Sequence, residues 1–410
     1  MSPASNTEGR HGSAGAPRAS GGMGGPGLGP PLDGIRVVDL TSYIAGSYAA
    51  MMLADLGAEV FKVESLAGDS FRELPGFVGW NRGKRSIALD LKTPEGREIV
   101  ERLATGADVV MENMRPGVTD RLGVGYAHLA ALNPRLIYCS TTGFGSSGPY
   151  VDRPGFDPLL QAMSGVQALQ GFGGPPQYLR VAINDYYAAA LTAQAVLAGL
   201  FVRERTGRGQ RVETSLLQAS LALQSGSVVD YPGKQSVFRD NPTYRLYEGS
   251  DGEWFFVAVG NQAFWVKLCA ALDVRELADD PRFASWLLRL DNREVLLPLL
   301  EKRFAEQPRT HWLSVLAAHD IPAAPVQTLK DFMDDPAVRH LGMIREYDHP
   351  ELGRLRLMGE PLVFSETPTR DAGRPPLLGE HTDAILNDLG YDAGAIEDLK
   401  RRRVIGGPPA

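Results

Sequence analysis

Two hydrophobic periods alternate along this chain, and the switches between them mark its elements. Leu32-Asp-Gly-Ile-Arg-Val-Val-Asp-Leu40 has the apolar density of a buried strand. Tyr48-Ala-Ala-Met-Met-Leu-Ala-Asp-Leu-Gly57 reads as a helix, and Ala58-Glu-Val-Phe-Lys-Val-Glu64 as a second strand. Thr93-Pro94 opens another helix through about Ala104, with Thr as its cap and Pro in its first turn. Asp108-Val-Val-Met111 is a strand, Tyr126–Leu132 a short helix, and Arg135-Leu-Ile-Tyr-Cys-Ser140 a further strand. This spacing predicts an α/β fold: a mostly parallel, Rossmann-like sheet with helices on both faces and ligands at the strands' C-terminal ends.

The most unusual stretch is Val181-Ala-Ile-Asn-Asp-Tyr-Tyr, which leads into the alanine-rich Ala188–Phe201. Ala, Leu and Gln without an internal Pro predict a long helix, apolar on most sides, with Asp185 at its head. Two roles fit that acid. Asn184 or Asp185 caps the first free backbone N–H groups; alternatively, those N–H groups and the helix dipole hold an ionised nucleophile. The residues alone leave both open.

Further along, Thr206–Ser215 reads as a turn and short strand, and Leu216–Gln224 as a helix. Periodicity fades over 226–252, where turn formers collect, and Trp254-Phe-Phe-Val-Ala-Val-Gly260 restarts a strand. Helices are predicted near Gln262–Leu272, Arg293–Glu306 and Trp312–His319. The domain reading is a disordered tail at 1–30, a large domain at 31–225, a linker at 226–252, a smaller α+β domain at 253–342, and a segment at 343–410 returning to the large domain. The tail is mostly Gly, Ala, Ser and Pro, too poor in large apolar groups to offset ordering entropy.

Composition narrows the function classes. With 410 residues, 43% of them hydrophobic, the chain can bury a large core, and a net charge of −7 argues against a general nucleic-acid or membrane-surface binder. Its two cysteines, Cys139 and Cys269, sit inside apolar runs, which favours a reducing, cytoplasmic setting over a disulfide framework. No uninterrupted apolar stretch reaches the roughly 20 residues of a bilayer span. The seven histidines form no metal-like pair, so no metal is expected. Gly143-Phe-Gly-Ser-Ser-Gly148 matches a dinucleotide fingerprint literally, but Pro149 and Tyr150 follow it where a helix should start, so a tight turn is expected instead.

Several segments in fixed order resemble the family III CoA-transferases, the group containing formyl-CoA and L-carnitine CoA-transferases. They are Leu32–Thr41, Ala54–Glu64, Asn81-Arg-Gly-Lys-Arg-Ser-Ile-Ala-Leu-Asp-Leu-Lys92, Glu112-Asn-Met-Arg-Pro-Gly117, Gly143–Pro149, Arg153-Pro-Gly-Phe-Asp157, Arg205–Arg211, Ile321–Val326 and Gly379-Glu-His-Thr382. The resemblance covers about residues 31–390. It implies that Asp185 takes the acyl group, passing through a mixed anhydride and an enzyme–CoA thioester, with coenzyme A and acyl-CoA as substrates and no tightly bound cofactor. It also implies a homodimer of interlinked, ring-shaped subunits, with a carboxylic acid as acceptor.

By the same resemblance Leu89, Leu91 and Lys92 flank the adenine, with Asn113, Met114, Arg115, Val118 and Arg121 nearby, Lys92 and Arg121 foremost. Arg82, Lys84 and Arg85 fall in the same segments and would suit phosphates. Phe156, Asp157 and Tyr186, with Tyr187, are candidates for the substrate pocket. Where formyl-CoA transferase has a glutamine and an arginine near the site this chain has Ile44 and Ser65, and Arg239–Tyr244 replaces a glycine run, which argues against formyl-CoA and oxalate as substrates.

The related α-methylacyl-CoA racemases carry a His where this chain has Phe156, and phenylalanine cannot move a proton. A transferase is therefore expected over a racemase, and a silent acyl-CoA-binding subunit is the third alternative. Asp157 either orients the site or caps the helix that follows it.

Overall fold

The computed structural model describes residues 28–171, 174–233 and 240–407. Most of the tail, 1–27, and Arg239 lie outside them. Six strands run parallel: β1 (Arg36–Asp39), β2 (Glu59–Glu64), β3 (Arg85–Leu89), β4 (Val109–Glu112), β5 (Ile137–Thr142) and β6 (Gln210–Ser215). Their order across the sheet is β3-β2-β1-β4-β5-β6. The chain winds one way from β1 and the other way from β4, so the crevice between these two strands is where a ligand finds loops splayed apart.

Alternation along the strands sorts side chains into two cores. Val37, Val109, Met111, Ile137 and Cys139 face the helix Ala45–Asp55 and the long helix Ile183–Thr206. Val38, Val110, Leu136 and Tyr138 face the opposite layer, built from Pro94–Thr105, Tyr126–Leu132, Thr382–Asp388 and Ala393–Arg401. Thr93 caps the first of these as its sequence predicts, accepting the Gly96 N–H at 3.0 Å.

The long helix has the length and apolarity of a bilayer span, but Ala189, Ala193, Val196 and Leu200 are buried on the sheet. Gly199 lets it approach closely, since a Cβ there would lie 3.1 Å from Ile137.

A second sheet, β7 (Tyr244–Glu248), β8 (Trp254–Ala258) and β9 (Ala323–Pro325), is antiparallel and shares a core with the helices Gln262–Ala271, Arg293–Phe304 and Arg309–Ala318. Here the linker reading of 226–252 is corrected: β7 lies inside it, because Tyr247 is buried against Phe255 and Phe304. Cys269 sits in this core, so the two cysteines are free and belong to separate domains.

The return segment is mixed. A hairpin, β10 (Ile344–His349) and β11 (Gly353–Met358), forms its own two-stranded sheet, and Leu362–Phe364 stand exposed, Val363 at 95%. Within this stretch the large domain is reached through Glu360, which pairs with Arg82, and not through Leu362–Phe364. Contact resumes further on, where β12 (Ile405–Gly406) pairs antiparallel with β3 and extends the large sheet to seven strands. Gly379-Glu-His-Thr382 grips β3 as well. Ser86 Oγ accepts the Gly379 N–H at 2.9 Å, His381 Nδ1 accepts the Ser86 N–H at 3.2 Å, and Thr382 Oγ1 accepts the Ala88 N–H at 3.2 Å.

Candidate active site

Asp185 stands in the first turn of the long helix, as its sequence predicts, but the capping is arranged differently. The residue before the helix is Ala182, which has no side-chain acceptor, and neither Asn184 nor Asp185 caps with its own side chain. Asp157 does so from 28 residues upstream. Its Oδ2 accepts the N–H of Asn184 at 2.7 Å and that of Asp185 at 3.3 Å, while Gln161 Nε2 donates to Oδ1 at 2.5 Å. Of the two alternatives for Asp157, capping of the helix that follows it is corrected, since it caps the helix that carries Asp185 and in that way orients the site; nor is it among the residues that line the cleft.

The consequence falls on Asp185, whose carboxylate is spared from capping. It lines a cleft of about 310 Å³ at the crevice between β1 and β4. The walls are Ser42 and Tyr43 after β1, Asn113–Pro116 after β4, Thr141–Gly145 at the end of β5, and Val151 with Arg153–Phe156. Asp185 is the single acid among these lining residues, beside two arginines, Arg115 and Arg153. Burial, and secondarily the charge of Asp157, pushes its carboxyl up to about 7. A carboxylate of that basicity is a better nucleophile than an ordinary aspartate, and about half of it is ionised at pH 7.

The dinucleotide-like Gly143–Gly148 is a turn at the cleft's edge, as expected. Gly143 crosses Gly155 backbone to backbone: a Cβ on Gly155 would lie 2.4 Å from the Gly143 Cα. That crossing seats Phe156 at the cleft, 47% exposed. Tyr186 points elsewhere, its hydroxyl accepting from Trp80 Nε1 at 3.2 Å, and Tyr187 packs in a small core with Phe144 and Leu160. Neither lines this cleft.

A second cleft of about 400 Å³ adjoins the first and shares Ser42 and Met114 with it. Leu89, Leu91 and Lys92 line it, with Gly68, Asp69 and Ser65 from the loop after β2. Asn113 and Arg115 belong to the reaction cleft. Val118 and Arg121 lie on a one-turn helix, Val118–Arg121, and line neither. The side chains of Lys92, Arg115 and Arg121 are exposed and pair with no carboxylate of the described residues.

Arg82, Lys84 and Arg85 are not available to phosphates. Arg82 is fully buried in a two-pronged pair with Asp55 at 2.5 and 2.6 Å, with Glu360 at 3.3 Å. Lys84, also buried, donates to Asp39 Oδ2 at 2.7 Å and to Ser47 O and Asn81 Oδ1 at 2.8 Å. Arg85 holds Glu59 and Asp388. Sequence reasoning also missed Asn113 as a clamp: it accepts the Ser42 N–H at 2.9 Å and donates to Ser42 O at 2.6 Å, tying together the loops after β1 and β4. Among the described residues, no three His, Cys, Asp or Glu side chains gather as a metal site.

The sequence model of CoA-transferase family III matches residues 32–382. The chain belongs to that family.

Its relatives include a succinyl-CoA:glutarate CoA-transferase of Mus musculus, 37% identical over 388 residues that span 90% of this chain and 89% of that one. A succinyl-CoA:mesaconate CoA-transferase of Haloarcula marismortui is 35% identical, over 88% of this chain and 97% of that one. Among solved structures, a CAIB/BAIF family protein from Brucella suis superimposes with a TM-score of 0.79 at 38% identity, covering 88% of this chain and all of that one. This family III member is an enzyme of the acyl-CoA:carboxylate CoA-transferring type, with CoA thioesters as substrates.

Proposed function

We propose that this enzyme moves CoA from succinyl-CoA, or a similar short dicarboxylic acyl-CoA, to a second short dicarboxylate through covalent catalysis by Asp185. The observation that carries the reading is a carboxylate at a helix N-terminus, held off capping duty by Asp157 and facing the switch-point cleft as its single lining acid. The dicarboxylate class rests on what the relatives are named for, and on Arg115 and Arg153 in the same wall.

In this mechanism an Asp185 oxygen attacks the thioester carbonyl and the C–S bond breaks, giving a mixed anhydride and CoA thiolate. The thiolate attacks the aspartyl carbonyl and releases the donor acid, leaving an aspartyl–CoA thioester. The acceptor carboxylate then adds to that carbonyl and expels the thiolate. Attack of the thiolate on the acceptor's carbonyl completes the new acyl-CoA and frees Asp185. Lys92, Leu89 and Leu91 hold the nucleotide end of CoA in the adjoining cleft, and Met114 stands where the two clefts meet.

The acting unit in this reading is a homodimer in a reducing compartment. Leu197, Phe201, Val202 and Leu221, exposed on the long helix and its neighbour, supply an apolar face, and both cysteines are free. Incubation with succinyl-CoA, trapping with hydroxylamine or borohydride and mapping by mass spectrometry tests the covalent step. Label at Asp185 is expected; its absence, with D185A transferring CoA at the wild-type rate, would sink the mechanism.

A further inference from the structure

Tyr43 has a backbone φ of +62°, in the left-handed region that residues bearing a Cβ rarely enter. The surrounding structure imposes it. Asn113 grips Ser42 at both its N–H and its carbonyl, Lys62 Nζ donates to Thr41 O at 2.7 Å, and Asp39 Oδ1 accepts the Thr41 N–H at 2.9 Å. Core packing does not account for such effort, because the Tyr43 side chain is not in the core. It is 36% exposed and lines the cleft that contains Asp185.

What the strained backbone achieves is placement of the ring. Its centroid lies 4.2 Å from Phe71 and 5.7 Å from Phe156, so three aromatics bridge the loops after β1, β2 and β5. The Tyr43 hydroxyl has no partner among the described residues, so the ring is held by its tilted contacts with Phe71 and Phe156 and by its backbone. Strain maintained at a cleft wall, with no return in core burial, points to a functional placement.

The chemistry supplies the reason. Every intermediate on Asp185 is an activated acyl group, and water at the acyl carbonyl of the mixed anhydride would break its C–O bond to Asp185 and waste the thioester. The net leak is acyl-CoA plus water giving carboxylate, CoA thiol and a proton. We propose that Tyr43 is the water-excluding residue of the reaction cleft, its ring fixed between Phe71 and Phe156 so that the intermediates partition toward thiolate and acceptor acid. This rests on the covalent role of Asp185 proposed above.

The test compares wild type with Y43G, Y43A and Y43F, using succinyl-CoA with and without glutarate. New acyl-CoA reports transfer, and thiol release without acceptor reports hydrolysis. Glycine takes a positive φ freely, so Y43G removes the ring while keeping the loop; circular dichroism and thermal melting confirm the fold, and Y43A gives a second ring deletion. The transfer-to-hydrolysis ratio is expected to fall about tenfold or more in both, equivalent to about 1.4 kcal/mol of lost discrimination, with Y43F restoring it. A folded Y43G with the wild-type ratio overturns the proposal, as does a Y43F that leaks like Y43G. Covalent trapping separates the two readings: a labelled Asp185 with an unchanged ratio defeats the role of Tyr43 alone, whereas an unlabelled Asp185 defeats both.

Discussion

Asp157 accepts the backbone N–H of Asp185 at 3.3 Å and that of Asn184 at 2.7 Å, so one acid caps the helix that presents the other. The arrangement separates two effects. D157A removes cap and charge together and is expected to lose about 1 kcal/mol of stability, up to about 2. D157N keeps a side-chain oxygen for the cap but deletes the charge that helps raise the Asp185 pKa. The acid limb of kcat/KM should then move to lower pH in D157N, with stability closer to wild type. Denaturant melts and a pH–rate profile check both halves.

In the wild-type enzyme the nucleophile must be ionised, and burial places its titration near pH 7. The limb of kcat/KM assigned to free enzyme should therefore rise through about pH 7 and fall tenfold per unit below it. A limb near pH 4, the ordinary aspartate range, would contradict the burial argument.

Stability follows the same titration with opposite sign. The Asp185 carboxyl binds its proton more tightly folded than unfolded, so its unfavourable contribution grows as pH rises from about 4 to about 7 and is constant above. D185N should be the more stable protein at pH 8, by on the order of 2 kcal/mol after solvent screening is allowed for, and the gain should vanish by about pH 4. Thermal melts of the two proteins across this range measure it.

Arg82 sits between Asp55 and Glu360, joining the end of the helix Ala45–Asp55 to the return segment. Removing it leaves the buried Asp55 without a counter-ion and Glu360 with Arg345 alone, and burial already pushes the Asp55 carboxyl up to about 7. R82A is expected to cost about 3–5 kcal/mol, with the deficit smaller in acid, where Asp55 takes up a proton. Urea titrations at pH 5.5 and 8 distinguish this from a simple packing loss.

Lys92 and Arg121 are exposed and free of carboxylate partners, and Lys92 lines the outer cleft. Each charge-assisted bond to a phosphate is worth about 1.5–3 kcal/mol. K92A should therefore raise KM for acyl-CoA by about tenfold or more with kcat little changed, and should have no such effect on an acyl-pantetheine substrate. R121A should be milder, because that side chain lies outside both cleft walls.

Much of this was legible in the sequence because it is local. The period switches gave β2, β4 and β5 to within two residues and β1 to within four, and Ala-rich composition with no proline gave the long helix and Asp185 at its head. Strand β3 escaped because Arg85-Ser-Ile-Ala-Leu is short and preceded by cations that read as surface. Those cations mislead for a physical reason. A buried Arg or Lys differs from a solvated one only in its partners, and the partners here, Asp39, Asp55 and Glu360, lie 27 to 278 residues away along the chain. The cap on the long helix was hidden in the same way, since its acceptor belongs to another helix. Tyr43 gave no signal at all, because the loop that sets its φ is held by Lys62 and Asn113, from β2 and the loop after β4, as well as by the local Asp39.

The two-residue strand Ile405–Gly406 has a consequence for solubility. It occupies the hydrogen-bonding edge of β3, which would otherwise offer unpaired N–H and C=O groups to any passing extended chain. A protein cut back before Val404 would keep Asp185 and both clefts, yet would carry an open sheet edge beside Leu89. Its failing would be self-association during folding, before any loss of chemistry.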